Sequence, residues 1–546
     1  MKDLQWNAPG PGQWTWQGSH VPGVPTPMYG ELHVRTITRS IARMMERYGV
    51  PLKTFDERIV NGRLYATLMP LVGRPGAAPP PKPLLWLATR THPAFRARNK
   101  TAARALRDRI WRARTEEWRT TLRPRARAAN LALQAEDLAA LDDAGLLDHV
   151  ERAYTNLESG YLLHFDLHGD DLGPLGLYVS ACRGWGIDPG DALAALAGHS
   201  PSTRAPLDDL AAVAAAVGDA SPATLDELRA AGPEAAAALD RYLDEYGWRL
   251  VTGYDIDARA VCELPEALLA NVLAARRERT EVVDGSAAAD ALRARVPAAE
   301  RVAFDEALTE ARVALDLRDD NGPITAEWPA GLLRRAVLEV GRRLVARGEL
   351  HDVEHAVELD LPELRAALRG EAVDPGLVAK RAADRAELAA VDAPHVLGEV
   401  APQPDLSAFP RALARMTEVA VAATSLQERE VDQHGTDGED LTGIGIGAEP
   451  WTGTARVATT PDAALAVLEP GDVLVVPFTT PAYNAVLAVA GAVVTTEGGV
   501  LSHAAVLARE LGIAGVIGAR HALRAIPDGA TVVVDPVAGR VQVITN

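Results

Sequence analysis

The chain has 546 residues, a formal net charge of −18 and a pI of about 5.3, which argues against nucleic acid or an anionic membrane as a partner. Its two cysteines, Cys182 and Cys262, are isolated, so neither a disulfide framework nor a zinc site is predicted. No apolar run approaches the roughly 20 residues of a membrane span, and the N-terminus lacks a signal-peptide core. We therefore expect a cytoplasmic protein with several domains.

Residues 1–395 are predicted to form a large, mainly helical domain. The region opens with an irregular segment rich in proline, glycine and tryptophan, which includes Trp14 and Trp16. Amphipathic helical patterns follow, for example at 103–122, 233–246 and 332–347. These patterns indicate helices that bury one face and expose a charged one.

Residues 396–442 are predicted to be a linker and hinge, and 443–546 a compact α/β domain. The linker contains prolines, one helix at about 411–428 and an acidic, glycine-containing loop at 432–440. After it, short β-rich runs such as 455–458 and 473–476 alternate with short helices. The predicted fold class is therefore a large helical domain followed by a small α/β domain.

The most informative stretch lies between Thr495 and Gly512. An apolar strand at 490–494 is broken by the pair Gly498 and Gly499, where the backbone must pass close to something. Ser502 is a good N-cap for the helix that follows, and Gly512 is a stop signal for it. The pattern places His503 on the first turn of a helix.

A histidine in that position has a particular chemistry. The unpaired N–H groups and the positive end of the helix dipole disfavour imidazolium, which keeps a neutral nitrogen of His503 available as a nucleophile. The same N–H groups would stabilise a phosphoryl group attached to the ring. The alternative interpretation is an ordinary helix residue without chemistry.

The stretch resembles the phosphohistidine (swivelling) domain of the PEP-utilising enzymes and dikinases, whose signature is TxGGxxSHAAIxARExGIPAVxG. This chain departs from the signature mainly at Val506 and at Ala514-Gly515. The flanking run 479–483 and the closing hairpin at 528–539 agree with the family as well. The resemblance implies that His503 carries the phosphoryl group; the residues expected to surround that group are Thr496, Gly498, Gly499 and Ser502.

The first region resembles, more diffusely, the substrate-binding domain of rifampin-phosphotransferase-like enzymes. The similarity rests on pieces that recur in the same order, at 11–14, 60–65, 246–249, 263–265 and 332–350. Trp248 stands where relatives usually have histidine or methionine, which suggests a different pocket shape. The resemblance implies that residues 1–395 bind the acceptor of the phosphoryl group.

Relatives that use ATP also carry an ATP-grasp domain ahead of the substrate domain. Here the substrate domain begins within about ten residues of Met1, and neither a Walker loop nor a kinase glycine loop occurs. The chain thus resembles the larger subunit of split systems such as phenylphosphate synthases. We expect ATP and Mg²⁺ to bind to a separate ATP-grasp subunit and neither to bind to this chain alone.

Transfer to an acceptor hydroxyl requires positive charge around the phosphoryl oxygens and a base near the acceptor oxygen. The candidates for charge are Arg249, Arg334 and Arg335, and those for the base are His20, His164 and His168. Solvated arginines and ordinary surface or core histidines are the alternatives. His164 and His168 can share one helical face, so a metal site with Asp170 or Asp171 stays open, although we predict no metal.

The tryptophans of the opening segment have two interpretations. Trp14 and Trp16, with Trp248, would wall an apolar pocket suited to an aromatic alcohol. Alternatively, they pin an irregular segment onto the helical domain. The sequence therefore specifies the substrate only weakly. A phenolic hydroxyl is the first candidate acceptor, and the hydroxyl of an antibiotic or other natural product is the second.

The sequence thus predicts one subunit of a split, dikinase-type phosphotransferase. A phosphoryl group would pass from ATP on the partner to His503, with AMP and phosphate as products, and then to a small hydroxyl acceptor. The rival hypothesis is a non-enzymatic phosphohistidine carrier or regulatory protein that binds no acceptor.

Overall fold

The structure is a computed structural model that describes residues 4–18, 21, 23–251, 253–275, 284–391, 393–399, 404–427, 441–459, 463–464, 467–479, 483–500 and 502–544. The chain divides into two compact units. The first comprises 1–171, 253–258 and 321–420, and the second comprises 172–252, 259–320 and 421–546.

Helices dominate the chain before residue 441. The α-helices are α1 (Pro27–Tyr48), α2 (Lys82–Thr91), α3 (Pro93–Asp108), α4 (Trp111–Glu117), α5 (Arg123–Gln134), α6 (Asp143–Asp166), α7 (His168–Gly184), α8 (Pro189–Ala194), α9 (Pro201–Val217), α10 (Leu225–Ala230), α11 (Pro233–Tyr246), α12 (Pro265–Ala274), α13 (Ser286–Arg295), α14 (Arg301–Gly322), α15 (Trp328–Ala346), α16 (Leu361–Leu368), α17 (Pro375–Ala389) and α18 (Arg411–Gln427). Short 3₁₀ turns lie at Leu138–Ala140, Val261–Glu263, Ala298–Glu300, Glu354–Glu358 and Leu406–Ala408, and π-helical turns at Trp118–Leu122 and Pro323–Glu327.

Among the described residues of this helical part, the strands lie near its two ends. They are β1 (Trp14–Trp16), β2 (Leu52–Val60), β3 (Arg63–Pro70) and β4 (Val396–Leu397). All pairings are antiparallel, in the order β2-β3-β1-β4. The sheet therefore joins the opening segment to residues nearly 400 positions later in the sequence.

The first unit is organised around α6. This helix packs against α1, against α15 and against the π-helical turn that precedes α15. Tyr29, Leu157, Tyr161 and Trp328 are almost completely buried in this core. At Gly160 the backbone of α6 comes so close to that of the π-helical turn that a Cβ on Gly160 would lie 2.1 Å from the carbonyl oxygen of Thr325.

Two large apolar cores lie in the described helical part of the second unit. One is built around Leu175, Tyr178 and Phe304, and it includes the side chains of α7, α8, α13 and α14. The other joins α9, α11 and α12 around Leu239 and Leu268. The predicted helix at 233–246 is present with those bounds.

The remainder of the second unit is a mixed α/β domain. Its elements are β5 (Ile444–Ile446), β6 (Trp451–Val457), β7 (Val473–Val476), α19 (Asn484–Val489), β8 (Ala492–Thr495), α20 (His503–Leu511), β9 (Ala514–Ile517), α21 (Ala522–Ala525), β10 (Thr531–Asp535) and β11 (Arg540–Ile544). The strand order is β11-β10-β6-β7-β8-β9-β5, with β6 to β9 parallel.

Strands β7, β8 and β9 are buried on both faces, as is typical of parallel strands. Alternate residues of β7 and β8 point to opposite sides. Leu474 and Val493 meet α19 and α20, whereas Val473 and Val494 face the core that includes α21. The apolar runs at 473–476 and 492–495 follow from this two-sided burial.

The predicted fold class is confirmed, with a large helical region followed by a mixed α/β region. The expected helix at 103–122 is instead divided among α3, α4 and a π-helical turn, because the chain breaks at Arg109, whose φ is +46°. The domain boundaries that we place at residues 395 and 443 from the sequence stay predictions. Among the described residues, no helix is long and apolar enough to cross a bilayer.

The close approach at Gly160 gives a stability prediction. Gly160→Ala should lower the free energy of unfolding by about 1–3 kcal/mol, since the new methyl group overpacks the contact with Thr325. Helix propensity alone predicts the opposite sign. Thermal denaturation followed by circular dichroism measures the change. The matched control is Gly184→Ala, at a helix position with no atom within 4 Å of the added Cβ; equal midpoints for the two variants would contradict the packing argument.

Candidate functional site

The carboxyl ends of two neighbouring parallel strands create the site in the α/β domain. β7 ends at Val476 and leads to Thr479, while β8 ends at Thr495 and leads to the turn before His503. Because the two strands are adjacent and parallel, their carboxyl ends meet at one edge of the sheet. The side chains of Thr479 and His503 come together there, with 2.8 Å between Thr479 Oγ1 and His503 Nδ1.

The turn before His503 depends on a glycine. Gly498 has a φ of +111°, and a Cβ at this position would lie 2.8 Å from the Cβ of Ser502. The N–H of Ser502 donates to the carbonyl of Gly499 at 3.0 Å, which closes the turn. Ser502 then caps α20 by accepting from the N–H of Ala505 at 3.4 Å. The predicted N-cap, the helix start at His503 and the left-handed stop at Gly512 (φ +66°) are all observed.

Two threonines fasten this turn to the sheet. The N–H of Thr496 donates to the carbonyl of Val476, and its hydroxyl donates to that of Pro477, both at 3.2 Å. The buried hydroxyl of Thr495 donates to the carbonyl of Glu497 at 2.7 Å. Thr496 therefore positions the segment in this structure, and its predicted contact with phosphate stays a prediction.

His503 is held in an environment that favours the neutral ring. Although part of the residue is accessible, surrounding protein atoms desolvate the imidazole and lower the pKa of His503 to about 3. Val500, three residues earlier, packs against the helical core around Tyr178 and Phe304, which adds protein on this side of the turn. At neutral pH the ring is therefore uncharged and hydrogen-bonded at Nδ1.

Two ionisable side chains at the end of the same helix are also desolvated. Burial lowers the pKa of Arg509 to about 10, and its guanidinium folds back to donate to the carbonyl of Val500 at 2.6 Å. It thus ties α20 to the turn before His503. Burial raises the pKa of Glu510 to about 7, with Asp319 adding to the rise and Arg204 opposing it.

The predicted bases His164 and His168 lie in the first unit, at the end of α6 and the start of α7. Their ring centroids are 4.9 Å apart, so the two residues share one face as expected. His164 is buried and its Nδ1 lies 3.3 Å from Thr325 Oγ1, whereas His168 pairs with Asp171 at 3.2 Å. No three potential metal ligands cluster anywhere in the part of the chain that is described.

Arg334 and Arg335 have extensive protein contacts in the first unit. Arg334 is 1% exposed, pairs with both carboxylate oxygens of Glu354 and donates to the carbonyl of Ile256. Arg335 donates to the carbonyl of Gln134, the last residue of α5, and to that of Glu136 just beyond it. These contacts give both guanidinium groups a structural role, and binding of phosphate by either one stays a prediction.

Arg249 and Trp248 follow α11 in the second unit. The guanidinium of Arg249 lies 4.5 Å from the ring centroid of Tyr246 and bonds the backbone and side chain of Glu245. Trp248 is partly exposed in the same turn. These contacts hold the guanidinium of Arg249 against the end of α11. Its catalytic role stays a prediction.

The opening tryptophans belong to the first unit. Trp14 is 3% exposed, donates from its indole N–H to the carbonyl of Gly10 and packs with Tyr65 and Leu397. The guanidinium carbon of Arg63 lies 5.6 Å from the ring centroid of Trp16. These contacts fit the alternative in which tryptophans pin the opening segment. His20 falls outside the described residues.

Thr479 was missed as a site residue. It was noticed only as part of the run 479–483, and nothing in its local sequence indicates a partner 24 residues away. A signal was present, however, in the order of two apolar strands, since Thr479 follows the first of them and His503 follows the second.

Comparisons with known proteins agree with this geometry. Residues 468–539 match the PEP-utilising enzyme mobile domain, and residues 185–336 match the rifampicin phosphotransferase fourth domain. The chain is 30% identical to a rifampicin phosphotransferase of Streptomyces over 353 residues, which are 59% of this chain and 36% of that protein.

Two further relatives share shorter portions of their length. Chondramide synthase cmdD of Chondromyces crocatus is 32% identical over 56% of this chain and 8% of its own length. Phosphoenolpyruvate synthase of Aeropyrum pernix is 43% identical over 17% of this chain and 11% of its own. The chain thus spans little more than a third of these relatives at most. It carries a PEP-utilising mobile domain and a rifampicin phosphotransferase fourth domain, and it is homologous to the rifampicin phosphotransferases over the part that it shares with them.

Proposed function

We propose that this protein is a phosphotransferase component that carries a phosphoryl group on Nε2 of His503. The observation that supports the proposal most is the contact of His503 Nδ1 with Thr479 at the first turn of α20. The proposal requires the tautomer in which the N–H at Nδ1 donates to Thr479 Oγ1, because Nε2 then keeps the lone pair that forms the bond to phosphorus. The desolvated ring is neutral, as a nucleophile must be.

The reaction has two half reactions. In the first, Nε2 of His503 attacks the β-phosphorus of ATP, the bond from that phosphorus to the α,β-bridging oxygen breaks, and AMP leaves. Water then attacks the γ-phosphorus of the pyrophosphoryl group on His503, the bond from the γ-phosphorus to the β,γ-bridging oxygen breaks, and phosphate leaves the β-phosphoryl group on the histidine. In the second, an acceptor oxygen attacks the phosphorus, the P–N bond breaks and its electron pair returns to the imidazole. The hydroxyl proton passes to a base. The N–H groups at the start of α20 stabilise the anionic group between the two steps.

In this proposal ATP is the phosphoryl donor, and it binds together with Mg²⁺ to an ATP-grasp unit in a separate subunit. Support for the separate subunit comes from the resemblance to split phenylphosphate-synthase-like systems, and the matched mobile domain carries the receiving histidine. The acceptor is a small molecule with a phenolic or aromatic hydroxyl.

A natural-product hydroxyl is the second candidate acceptor. It is favoured by the relatives named rifampicin phosphotransferase and chondramide synthase. A non-enzymatic phosphohistidine carrier is the rival in which the second half reaction does not occur. Transfer of label from His503 to a small molecule separates the enzyme from the carrier.

Labelling of the protein tests the site of phosphorylation. Incubated with its ATP-grasp partner and β-labelled ATP, the chain should take up acid-labile, base-stable label, and without the partner it should take up none. His503→Ala should abolish the label, while Gly184→Ala should leave it unchanged. Undiminished label in His503→Ala would overturn the assignment.

The pKa of His503 gives a second prediction. Its ring should remain neutral at pH 5 in an NMR titration, with signals assigned by their loss in His503→Asn. The unfolded chain binds a proton to this residue near pH 6.5. The stabilising contribution of the neutral ring is therefore complete above that pH and falls as the pH drops toward 3. Titration of the folded ring near pH 6.5 would contradict the proposed environment.

Arg249 should separate the two half reactions if it neutralises the phosphoryl group at the acceptor. Arg249→Ala should leave labelling of His503 nearly intact and reduce transfer by about 10²-fold, the scale for losing a preorganised charge. Arg249→Lys should restore little, because ammonium lacks the planar donors of guanidinium. Arg241→Ala, on the exposed face of α11, is the control. Unchanged transfer in Arg249→Ala would remove this residue from the site.

A further inference from the structure

The α/β domain rests on the helical part of the second unit. α19 packs against α12, and Val500, in the turn before α20, packs against the apolar core around Tyr178 and Phe304. Residues 468–539 match a domain described as mobile, whereas residues 185–336 match a different domain. We call this contact region the seat; it is formed by α19, α20 and the turn before α20 on one side, and by α12, α14 and the loop between α8 and α9 on the other.

Glu510 lies in the seat, one residue before the end of α20. It is 2% exposed, and the backbone N–H of Gly198, in the loop between α8 and α9, faces its carboxyl group. Its oxygen Oε2 is buried and has no hydrogen-bond partner among the described residues. A carboxyl group of the α/β domain is therefore enclosed by the helical part with one oxygen unsatisfied.

The helical part contributes a second carboxyl group to the seat. The charge of Asp319, on α14, adds to the desolvation that raises the pKa of Glu510 to about 7. The side chain of Asp319 is 12% exposed, and its Oδ2 accepts from Thr203 Oγ1 at 2.7 Å. Burial raises the pKa of Asp319 too, with Arg318 opposing the rise and Asp316 adding to it. The two carboxyl groups therefore repel each other across the seat when both are charged.

Other charged groups near the seat do not cancel this repulsion. Arg204, on α9, opposes the rise in the pKa of Glu510, but it acts from an exposed position where solvent screens it. Arg509, on α20, donates to the carbonyl of Val500. His199, in the loop between α8 and α9, donates from Nδ1 to a carbonyl of its own loop at 2.8 Å. The pKa of Glu510 accordingly stays raised.

One proton relieves the seat of this cost. A buried carboxylate without a partner is unfavourable, and a like charge nearby makes it more so. A proton on Glu510 removes the charge and the repulsion together. When the α/β domain leaves the seat, water solvates Glu510 and its pKa returns to its ordinary value of about 4.5. Glu510 therefore binds a proton more tightly in the seat than in water.

We propose that the seat is a proton-linked latch, in which a proton on Glu510 holds α20 against the helical part and loss of that proton releases the α/β domain. Seating is strongest below a pH of about 4.5 and weakens as the pH rises toward 7, because the seated form binds the extra proton over that range. The latch goes beyond the proposed function, since seating requires no phosphoryl group.

Distances between spin labels on the full chain, measured by double electron–electron resonance, test the proposal. The labels are placed at Val302→Cys, on α14, and at Val537→Cys, after β10, two positions that are 68% and 76% exposed. Cys262→Ser removes the partly exposed native thiol, while Cys182 is buried. His503→Asn removes a ring whose desolvation has the opposite pH dependence.

This parent chain should show the seated distance at pH 6 and a second population at pH 8. The ratio of seated to released molecules should fall about tenfold between these pH values, as expected for a pKa that changes from about 4.5 to about 7 on seating. Glu510→Gln keeps the shape of the side chain and does not ionise, so it should stay seated at pH 8. Asp319→Asn removes the repelling charge and should reduce the pH response. The matched control is Glu469→Gln, an exposed carboxyl group of the same domain, which should respond as the parent does.

A single distance from pH 6 to pH 8 in the parent chain, or an equal pH response in Glu510→Gln and Glu469→Gln, would overturn the proposal. Thermal denaturation shows which variants are folded. If Glu510→Gln is unfolded, an undiminished pH response in Asp319→Asn overturns the proposal instead. Because every chain in the test lacks the imidazole of His503, the latch and the phosphotransferase proposal can fail separately.

Discussion

The contact between Thr479 and His503 is the constraint on which the candidate site depends. It exists because two adjacent parallel strands end at the same edge of the sheet and because α20 begins at the histidine. The hydrogen bond takes one ring nitrogen, desolvation removes the charge, and the helix start supplies N–H groups for an anion. A nucleophile that must later hold a phosphoryl group needs all three.

Local signals were sufficient to predict the elements of this site, but not its pairing. Gly498 was expected to break the strand, Ser502 to cap the helix and Gly512 to stop it, and each of these roles is determined by a few neighbouring residues. The contact with Thr479 depends instead on which strands are neighbours in the sheet. Strand order is a property of the tertiary fold, and the local patterns of one sequence do not reveal it.

Charge in the sequence indicates candidate residues but not the partners that they meet in the fold. Arg334 and Arg335 were predicted from their charge, and their guanidinium groups contact Glu354 and the carbonyl of Gln134 at the end of α5. The residues of the acceptor half of the chemistry therefore stay predictions.

Identification of the phosphorylated nitrogen tests the central claim most directly. The chain can be treated with phosphoramidate, which phosphorylates histidine without an enzyme, and then mapped at alkaline pH by peptide mass spectrometry and ³¹P NMR. The account predicts a phosphoryl group on Nε2 of His503, since Thr479 engages Nδ1. A phosphoryl group on Nδ1 of His503, or an unmodified His503 beside other histidines that have reacted, would contradict it.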